Sequence, residues 1–296
     1  MIKNFFDKER INYKENASLK KYNTYRIDAK CSYLVFPKNI NELVNIIKAS
    51  KENEITYLIL GNGSNIIFSK EYYDYVIIKL DNLNNIEFNN NIVRVEAGYS
   101  LSKLALETIN RGLDGLTFAV GIPGLVGAST AMNAGAYNSD MSEIVKEVEV
   151  LNENLDIITL KNKDLQYEYR DSFLKKHKEY IVLSTTFELK QGNVEIMKNL
   201  TEERRKKRIL SQPLELPSAG SVFRNPENMY AGELIEKLNL KGFKIGDAEI
   251  STKHANFIVN TGNAKGKDIV KLIKKIKEEV KNKYNIELKL EQIIID

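Results

Sequence analysis

Cysteine is nearly absent from this sequence, which has only Cys31 among its 296 residues. A lone cysteine excludes an internal disulfide and fits a reducing compartment. Because Cys31 lies among small residues just before an apolar run, we expect a packed structural thiol rather than a reactive one. Histidine is almost as scarce, with His177 and His254 alone, and we expect no metal site.

Long hydrophobic runs are absent too. No run approaches the roughly 18 apolar residues that span a bilayer. Residues 1–18 carry charges every few positions, where a signal peptide would have an apolar centre. We therefore expect a cytoplasmic protein with no membrane partner, present as a monomer or a weak oligomer.

The chain also lacks a strong charge of one sign. Its 44 Lys and Arg residues face 40 Asp and Glu residues, a net charge of +4, which gives little support to nucleic-acid binding through bulk charge. The densest basic runs, at 202–208 and 265–283, have helical periodicity and predict solvated helix faces. We expect no nucleic-acid partner.

The composition itself, 43% hydrophobic and 28% charged, is that of an ordinary globular protein. At this length we expect two or three domains. A first α+β unit is predicted to end near residue 190, and the two prolines in 213–217 favour a stiff linker into a last domain. Apolar patterns predict strands at 33–36, 57–60, 75–80, 92–97, 145–151, 157–160, 181–189, 257–259 and 286–295, and helices after residue 37, at 101–110, 194–210 and 232–238, and along the stripe 269–280.

Two glycine-rich segments follow predicted strands. The first, Gly61-Asn62-Gly63-Ser64-Asn65, can take positive φ at its glycines and can turn several backbone N–H groups towards one anion. It is neither a Walker loop nor a Rossmann GxGxxG, so a plain tight turn stays an alternative. The second includes Gly121, Ile122, Pro123, Gly124, Gly127 and Ala128. It is long, apolar and rich in small residues, so backbone can lie against a large planar ligand, although a helix-packing glycine patch is the alternative.

Three further pieces carry chemical groups: Tyr167-Glu168-Tyr169-Arg170-Asp171-Ser172, Pro217-Ser218-Ala219-Gly220-Ser221-Val222-Phe223-Arg224-Asn225-Pro226 and the tail carboxylate Glu291. Taken singly, Arg170 fits a structural ion pair, Ser221 a turn and Glu291 a surface charge. Together with the glycine segments, and in this order, the motifs closely resemble the UDP-N-acetylenolpyruvoylglucosamine reductase family, from about residue 20 to the end. The motifs that carry the resemblance are Asn23-Thr24-x-Arg26, Gly61 to Asn65, Gly121-Ile-Pro-Gly124, Asn133-x-Gly135-Ala-Tyr137, Tyr169-Arg170-x-Ser172, Gly220-Ser221-Val-Phe-x-Asn225-Pro226 and His254-Ala-Asn-Phe-Ile-x-Asn260.

The resemblance implies an FAD-binding fold of the vanillyl-alcohol-oxidase type in two subdomains, at 1–80 and 81–192, followed by a C-terminal α/β substrate-binding domain at 193–296. Both glycine segments, with Asn133 and Gly135, would hold the flavin, and Tyr137 and Asn225 would contact a UDP-sugar substrate. The length and the Gly-Ser-Val-Phe form resemble the shorter subclass, which lacks a substrate-covering tyrosine loop. No Cys or His lies in the glycine segments, so the FAD is expected to be bound non-covalently.

The implied reaction is the NADPH-dependent reduction of the enolpyruvyl ether of UDP-N-acetylglucosamine to UDP-N-acetylmuramate. In the family an arginine, a serine and a glutamate form the catalytic set, and they correspond to Arg170, Ser221 and Glu291. A permanent guanidinium suits an enolate, Ser221 would donate a proton to C2, and Glu291 would assist in its protonated form.

The chain departs from the family pattern at three places. Asp28-Ala29 stands in place of a glycine pair, Asn62 where glycine is frequent, and Gln292 where an aliphatic residue is common after the glutamate. Two other functions stay open: an FAD-linked oxidase of the same fold, and a non-catalytic nucleotide-binding module.

Overall fold

A computed structural model describes residues 2–296 of the chain. Within this range the α-helices are α1 Ile2–Lys8, α2 Ile40–Glu52, α3 Leu101–Asn110, α4 Val126–Met132, α5 Phe173–Lys176, α6 Val194–Ser211, α7 Ala231–Glu236 and α8 Gly266–Tyr284. The strands are β1 Tyr13–Ser18, β2 Lys30–Val35, β3 Tyr57–Leu60, β4 Ile66–Phe68, β5 Tyr72–Lys79, β6 Ile86–Asn89, β7 Ile92–Glu96, β8 Leu113–Asp114, β9 Gly135–Ala136, β10 Ser139–Asp140, β11 Val145–Leu151, β12 Ile157–Lys161, β13 Ile181–Glu188, β14 Lys190–Gln191, β15 Lys244–Ile245, β16 Ala248–Ile250, β17 Ile258–Asn260 and β18 Ile293–Ile295.

The chain divides into two compact units. The first consists of the N-terminal segment up to Glu15 together with Tyr33–Gly61 and Tyr75–Arg205. The second consists of Asn16–Ser32, Asn62–Asp74 and Lys206–Asp296. The first glycine segment therefore begins in one unit, at Gly61, and continues in the other. The predicted boundaries at 80/81 and 192/193 stay predictions.

A five-stranded antiparallel sheet is the centre of the first unit, in the order β12-β11-β13-β7-β6. Alternate Val side chains of β11 and β7 are buried, as expected for a sheet with one face against a core. Helix α4 packs on β13 and β7. The buried hydroxyls of Thr130 and Thr185 lie 2.9 Å apart between α4 and β13, which fixes the helix that contains the end of the second glycine segment.

A four-stranded sheet of order β1-β2-β5-β3 carries the first glycine segment. Strands β3 and β5 pair in parallel, with Leu60 opposite Lys79. Helix α2 precedes β3; Asn39 caps it by accepting a hydrogen bond from the Glu42 N–H at 2.9 Å, as N-cap residues commonly do. Gly61, which directly follows β3, therefore lies at the edge of an ordered sheet.

The second unit is built around α8 and a three-stranded antiparallel sheet, β15-β16-β17. Helix α8 packs on β15 and β16 through a buried aliphatic stripe, each member of which contributes about 1.5–3 kcal/mol on burial. In a second, two-stranded parallel sheet, β18 lies beside β4, with Ile293 opposite Ile66. The buried stripe of α8 consists of Ile269, Leu272, Ile273, Ile276 and Val280.

The α+β fold class is confirmed, and so are most predicted elements, including the 101–110 helix and the three antiparallel strands between 145 and 189. The tail prediction was too long, because only Ile293–Ile295 forms a strand. Helix α1 and strand β1 were not predicted from the sequence. No helix within residues 2–296 is long and apolar enough to cross a membrane.

Candidate functional site

The first glycine segment meets the second inside the first unit. A Cβ placed on Gly61 would lie 3.1 Å from the Cβ of Ala128, so the end of β3 and the start of α4 approach each other closely and a side chain on Gly61 would crowd Ala128. The Gly61 carbonyl accepts a hydrogen bond from the Lys79 ammonium, which is 4% exposed and lies 3.4 Å from the Asp81 carboxylate. A buried cation therefore fixes the point at which the loop begins.

Several glycines of the second segment are required by packing within the unit. A Cβ on Gly127 would lie 2.7 Å from the Ala97 Cβ, one on Gly124 2.5 Å from the Ser129 Oγ, and one on Gly135 2.5 Å from the Ser139 carbonyl oxygen. By contrast Gly121, Pro123 and Ala128 are exposed, and Ile122 is partly so. The exposed residues of the segment therefore form a surface of small residues, while Gly124 and Gly127 let its backbone pack closely against Ser129 and Ala97.

Arg170 lies in a tight turn of the first unit and has positive φ, +57°. Its guanidinium donates to the carbonyl oxygens of Gly135 and, at 3.4 Å, Asn133, and lies 5.2 Å from the ring centre of Tyr169. The turn is closed by reciprocal backbone hydrogen bonds between Glu168 and Asp171. The structure thus brings the predicted catalytic arginine together with two of the predicted cofactor-binding residues.

Two buried polar side chains hold this arrangement. The Ser172 hydroxyl donates to the Ala131 carbonyl at 2.6 Å and accepts from the Lys175 N–H, capping α5. Asn133, at the left-handed C-cap of α4, donates to the Glu168 carbonyl at 2.9 Å. The asparagine and serine of the two motifs therefore have structural roles beside the arginine.

Tyr137 belongs to a cluster that the sequence did not indicate. Its ring lies 4.6 Å from the Arg204 guanidinium, and its hydroxyl donates to the Arg204 carbonyl at 3.2 Å. Arg204 also donates to the Thr117 hydroxyl at 3.1 Å. The basic run 202–208 was predicted as a solvated helix face, but Arg204 and Arg208 are partly buried, and no local pattern separates Arg204 from exposed Arg205.

In the second unit, the rest of the first glycine segment is hydrogen-bonded to two distant segments. Gly63 has a positive φ of +63°, and a Cβ on it would lie only 2.2 Å from the carbonyl oxygen of Tyr22. The Gly63 carbonyl accepts a hydrogen bond from the Thr24 N–H at 3.1 Å. Asn65 donates from its side chain to the Glu291 carbonyl at 3.1 Å and accepts from the Ile293 N–H at 2.9 Å. Ser64 is partly buried and Asn62 is exposed.

The segments that carry the predicted catalytic serine and glutamate are hydrogen-bonded to each other in this unit. The Glu291 N–H donates to the carbonyl oxygen of Val222, which directly follows Ser221, at 2.9 Å. Phe223 and Leu290 form an antiparallel bridge next to this bond. Both Ser221 and Glu291 are partly exposed, and the backbone pairing brings the segment that carries the hydroxyl next to the segment that carries the carboxyl.

The remaining motif asparagines bind backbone. Asn256 accepts from the Phe223 N–H at 3.0 Å and donates to the Phe223 carbonyl at 2.9 Å. Asn260 donates to the Tyr25 carbonyl at 2.8 Å. The Asn225 side chain, predicted to contact substrate, accepts from the Ala231 N–H at 3.1 Å and so caps α7. Asparagine side chains thus join several segments of this unit through hydrogen bonds to backbone groups.

Burial shifts the pKa of two further ionisable groups, Cys31 and His254. Cys31 is fully buried, and burial raises the pKa of its thiol to about 12, which confirms a structural thiol. Burial also lowers the pKa of His254, whose Nδ1 accepts from the Asn256 N–H at 3.2 Å. His254 is therefore a packed side chain whose burial favours the neutral form. Within residues 2–296, no three His, Cys, Asp or Glu side chains are grouped to hold a metal ion.

Comparison with known proteins identifies the fold and the family. Residues 31–161 match the model of an FAD binding domain, and residues 212–295 match the model of the UDP-N-acetylenolpyruvoylglucosamine reductase C-terminal domain. The reductase of that name from Caldanaerobacter subterraneus subsp. tengcongensis is 42% identical over 273 residues, 92% of this chain and 90% of the relative. That of Clostridium novyi is 39% identical over 294 residues, 99% of this chain and 95% of the relative.

Among solved structures, UDP-N-acetylenolpyruvylglucosamine reductase from Thermus caldophilus matches with a TM-score of 0.81 at 30% identity, covering 97% of this chain and 99% of that one. The predicted FAD-binding fold with a C-terminal substrate domain is confirmed by these matches, and the protein is an FAD-dependent oxidoreductase. The chain belongs to the UDP-N-acetylenolpyruvoylglucosamine reductase family.

Proposed function

We propose that this protein reduces UDP-N-acetylglucosamine enolpyruvate to UDP-N-acetylmuramate in peptidoglycan precursor synthesis, with NADPH as electron donor and dissociable FAD as cofactor. The names of its relatives support the reaction class. We further propose that it works in the cytoplasm on a UDP-sugar, as a monomer or weak oligomer.

One observation carries the proposal: the hydrogen bond from the Glu291 N–H to the Val222 carbonyl. It joins the segment that carries the Glu291 carboxyl to the loop that carries the Ser221 hydroxyl. Reduction of an enol ether needs a hydride at one carbon and a proton at the other. A hydroxyl and a carboxyl on two hydrogen-bonded segments are groups that could supply that proton and support the charge, and this is why we assign these roles to Ser221 and Glu291.

The residues present fit an FAD. The accessible part of the second segment consists of Gly121, Pro123 and Ala128, small residues over which a flat ring system can lie, and Gly61 leaves no side chain between the end of β3 and α4. When bound, FAD would take up a hydride from NADPH and deliver it to the enolpyruvyl group. Gly61 to Asn65, Gly121 to Ala128, Asn133 and Gly135 are the residues proposed to hold it.

Arg170 is proposed to bind the substrate carboxylate and the enolate charge that develops beside it. A guanidinium keeps its proton throughout and can donate two parallel hydrogen bonds. Its bonds to the Asn133 and Gly135 carbonyls restrain its planar head before substrate arrives, and such preorganisation is how charge in a transition state is stabilised at low cost.

Ser221 is proposed to donate the proton to C2, and Glu291, in its protonated form, to donate a hydrogen bond that supports the same charge. Tyr137 and Asn225 are proposed substrate contacts. For Asn225 the capping bond to Ala231 engages only the side-chain oxygen, and the amide N–H groups are the ones proposed to reach substrate.

The test is an anaerobic titration of the purified protein. We expect a flavin absorption spectrum, release of the flavin by mild denaturation, bleaching by NADPH and recovery of colour when UDP-N-acetylglucosamine enolpyruvate is added. A colourless protein that cannot be reconstituted with FAD would favour a nucleotide-binding module instead. Flavin that NADPH does not bleach, but that oxygen reoxidises after chemical reduction, would favour the oxidase.

A further inference from the structure

Gln292, the residue after Glu291, is deeply buried for a polar side chain, with 3% of its surface exposed. Its Nε2 donates to the carbonyl oxygens of Ala219 at 3.0 Å and Gly220 at 3.1 Å. These are the two residues directly before Ser221. The tail segment therefore contacts the serine loop through a side chain as well as through the Glu291 backbone.

The other end of the Gln292 amide is bound by Tyr25, which is fully buried. The Tyr25 hydroxyl lies 3.0 Å from Oε1. Backbone carbonyls only accept hydrogen bonds, so the amide nitrogen must face Ala219 and Gly220, and Oε1 must then accept from the tyrosine hydroxyl. Both N–H groups and the oxygen of the amide are satisfied, which gives the side chain a single orientation.

The segment that Gln292 holds has a conformation that needs support. Gly220 has φ +74°, and a Cβ there would meet no heavy atom within 4 Å, so glycine is required by the left-handed backbone and not by crowding. On the far side of Ser221, Val222 is fixed by its N–H bond to the Asn256 carbonyl at 2.8 Å and by the Glu291 bond. The Gln292 bonds restrain the near side.

We propose that Gln292 is a positioning residue: with Tyr25 behind it, its amide sets the place of the Ser221 hydroxyl relative to the strand that carries Glu291. This inference rests on the proposed role of Ser221 in proton donation. It also gives a physical reason for a glutamine at a position where an aliphatic side chain would leave the Tyr25 hydroxyl and two carbonyls without partners.

The test uses the FAD-loaded enzyme and measures its two half-reactions separately in Gln292→Met and Tyr25→Phe. Methionine keeps the length of glutamine but has no N–H to donate. We expect reduction by NADPH at the normal rate, because it does not call on Ser221, and reoxidation by substrate slowed roughly 10- to 100-fold in Gln292→Met, as a small misplacement of a reacting group can produce. Tyr25→Phe should slow reoxidation less, and the double variant should be no slower than Gln292→Met, because both act through one network.

Tyr73→Phe is the matched control. Tyr73 is also a buried tyrosine, and its hydroxyl donates to the Ile295 carbonyl of the same tail at 2.6 Å, three residues from Gln292 and away from the serine loop. It should lower the melting temperature without changing either half-reaction. Should Gln292→Met fail to fold, Tyr25→Phe decides the matter in the same way.

Wild-type reoxidation in both Gln292→Met and Tyr25→Phe would overturn the inference, and so would equal slowing of the two half-reactions or slowing in Tyr73→Phe as well. Ser221→Ala, measured in parallel, separates this inference from the proposed function. If Ser221→Ala slows reoxidation and the Gln292 variant does not, the inference fails and the function stands. If neither does, the role of Ser221 fails with it.

Discussion

The Glu291 N–H lies 2.9 Å from the carbonyl oxygen of Val222, so two residues separated by 69 positions in the chain are backbone neighbours. The Asn65 side chain binds the carbonyl of the same glutamate at 3.1 Å. Glu291 is therefore held on both sides of its own Cα, by the serine loop and by the end of the first glycine segment. A short hydrogen-bonded tail can in this way connect a predicted flavin loop to a predicted catalytic loop within one unit.

Replacing Ser221 by Ala should separate the two half-reactions. Reduction of the flavin by NADPH should proceed at close to the normal rate, since this hydroxyl has no part in it. Reoxidation by substrate should slow by about 10²- to 10⁴-fold, the usual effect of removing one positioned acid. Single-turnover absorbance measures both, and Ser218→Ala, in the same loop, is the control. Equal slowing of both steps would reject proton donation.

Replacing Glu291 by Gln keeps a hydrogen-bond donor but removes the acid. If donation alone is what Glu291 supplies, Glu291→Gln should retain most of the reoxidation rate and Glu291→Ala should lose it. The backbone bonds to Val222 and Asn65 do not involve the side chain, so both variants should keep the flavin and the fold. Wild-type reoxidation in Glu291→Ala would remove this side chain from the reaction.

Replacing Arg170 by Lys should preserve flavin binding and slow reoxidation. A single ammonium cannot span the Asn133 and Gly135 carbonyls and also present a planar pair of donors to a carboxylate. Removal of one such electrostatic contact commonly lowers kcat by about 10²- to 10³-fold. Arg94→Lys, a change in a partly exposed pair with Glu149, is the control. Unchanged single-turnover reoxidation in the Arg170 variant would exclude it as the enolate-binding group.

Whether an element could be predicted from the sequence depends on how far apart in the chain its interacting residues lie. The α8 stripe could be predicted because the residues that share its buried face are neighbours in sequence. Strand β1, with its mostly exposed residues 13–18, has no alternation to detect. The tail was predicted as a strand from 286, yet between 286 and 290 it is paired only through the Phe223–Leu290 bridge and the bond from the Arg224 N–H to the Lys289 carbonyl.

The glycine segments could be located from sequence, but their hydrogen-bond partners could not. Tyr25 and Gln292 are 267 positions apart, and neither belongs to a local pattern. Gly63 and Gly127 were predicted to contact a flavin, and packing against Tyr22 and Ala97 explains their lack of a side chain. A glycine-rich segment that is predicted to bind a ligand can thus contain glycines that the packing of the protein itself requires. The contact of these two glycines with flavin stays a prediction.

His254 predicts a pH dependence of stability. Burial lowers its pKa in the folded state below the ordinary value of about 6.5. Between these two values the unfolded chain binds a proton that the folded chain does not, so the free energy of unfolding falls as pH falls. The urea midpoint should therefore drop as the pH falls through the ordinary histidine value of about 6.5, and it should drop less in His254→Gln. An equal slope in His254→Gln and in the wild-type protein would contradict the prediction.

Arg204 should affect substrate binding through Tyr137. The guanidinium lies 4.6 Å from the tyrosine ring centre and donates to Thr117, so it restrains a residue that is proposed to contact the UDP-sugar and is 41% exposed. Arg204→Met keeps the aliphatic stem and removes the charge. Loss of a cation–π contact of about 0.5–1 kcal/mol corresponds to a rise in KM of roughly 2- to 5-fold, with kcat nearly unchanged because no reacting atom is touched. Arg204→Lys keeps a positive charge and should therefore raise KM less than Arg204→Met does.

Arg205 supplies the matched comparison for this last prediction. It is the next residue of α6, is exposed and pairs with Glu202 at 3.3 Å, so Arg205→Met makes the same chemical change on the solvated face. Steady-state kinetics with varied UDP-sugar should give a raised KM for Arg204→Met alone. If both variants raise KM equally, the effect is one of general positive charge on α6 and not of Tyr137. If kcat falls with KM unchanged, or if FAD is lost, Tyr137 is not a substrate contact and its contact with Arg204 serves the fold.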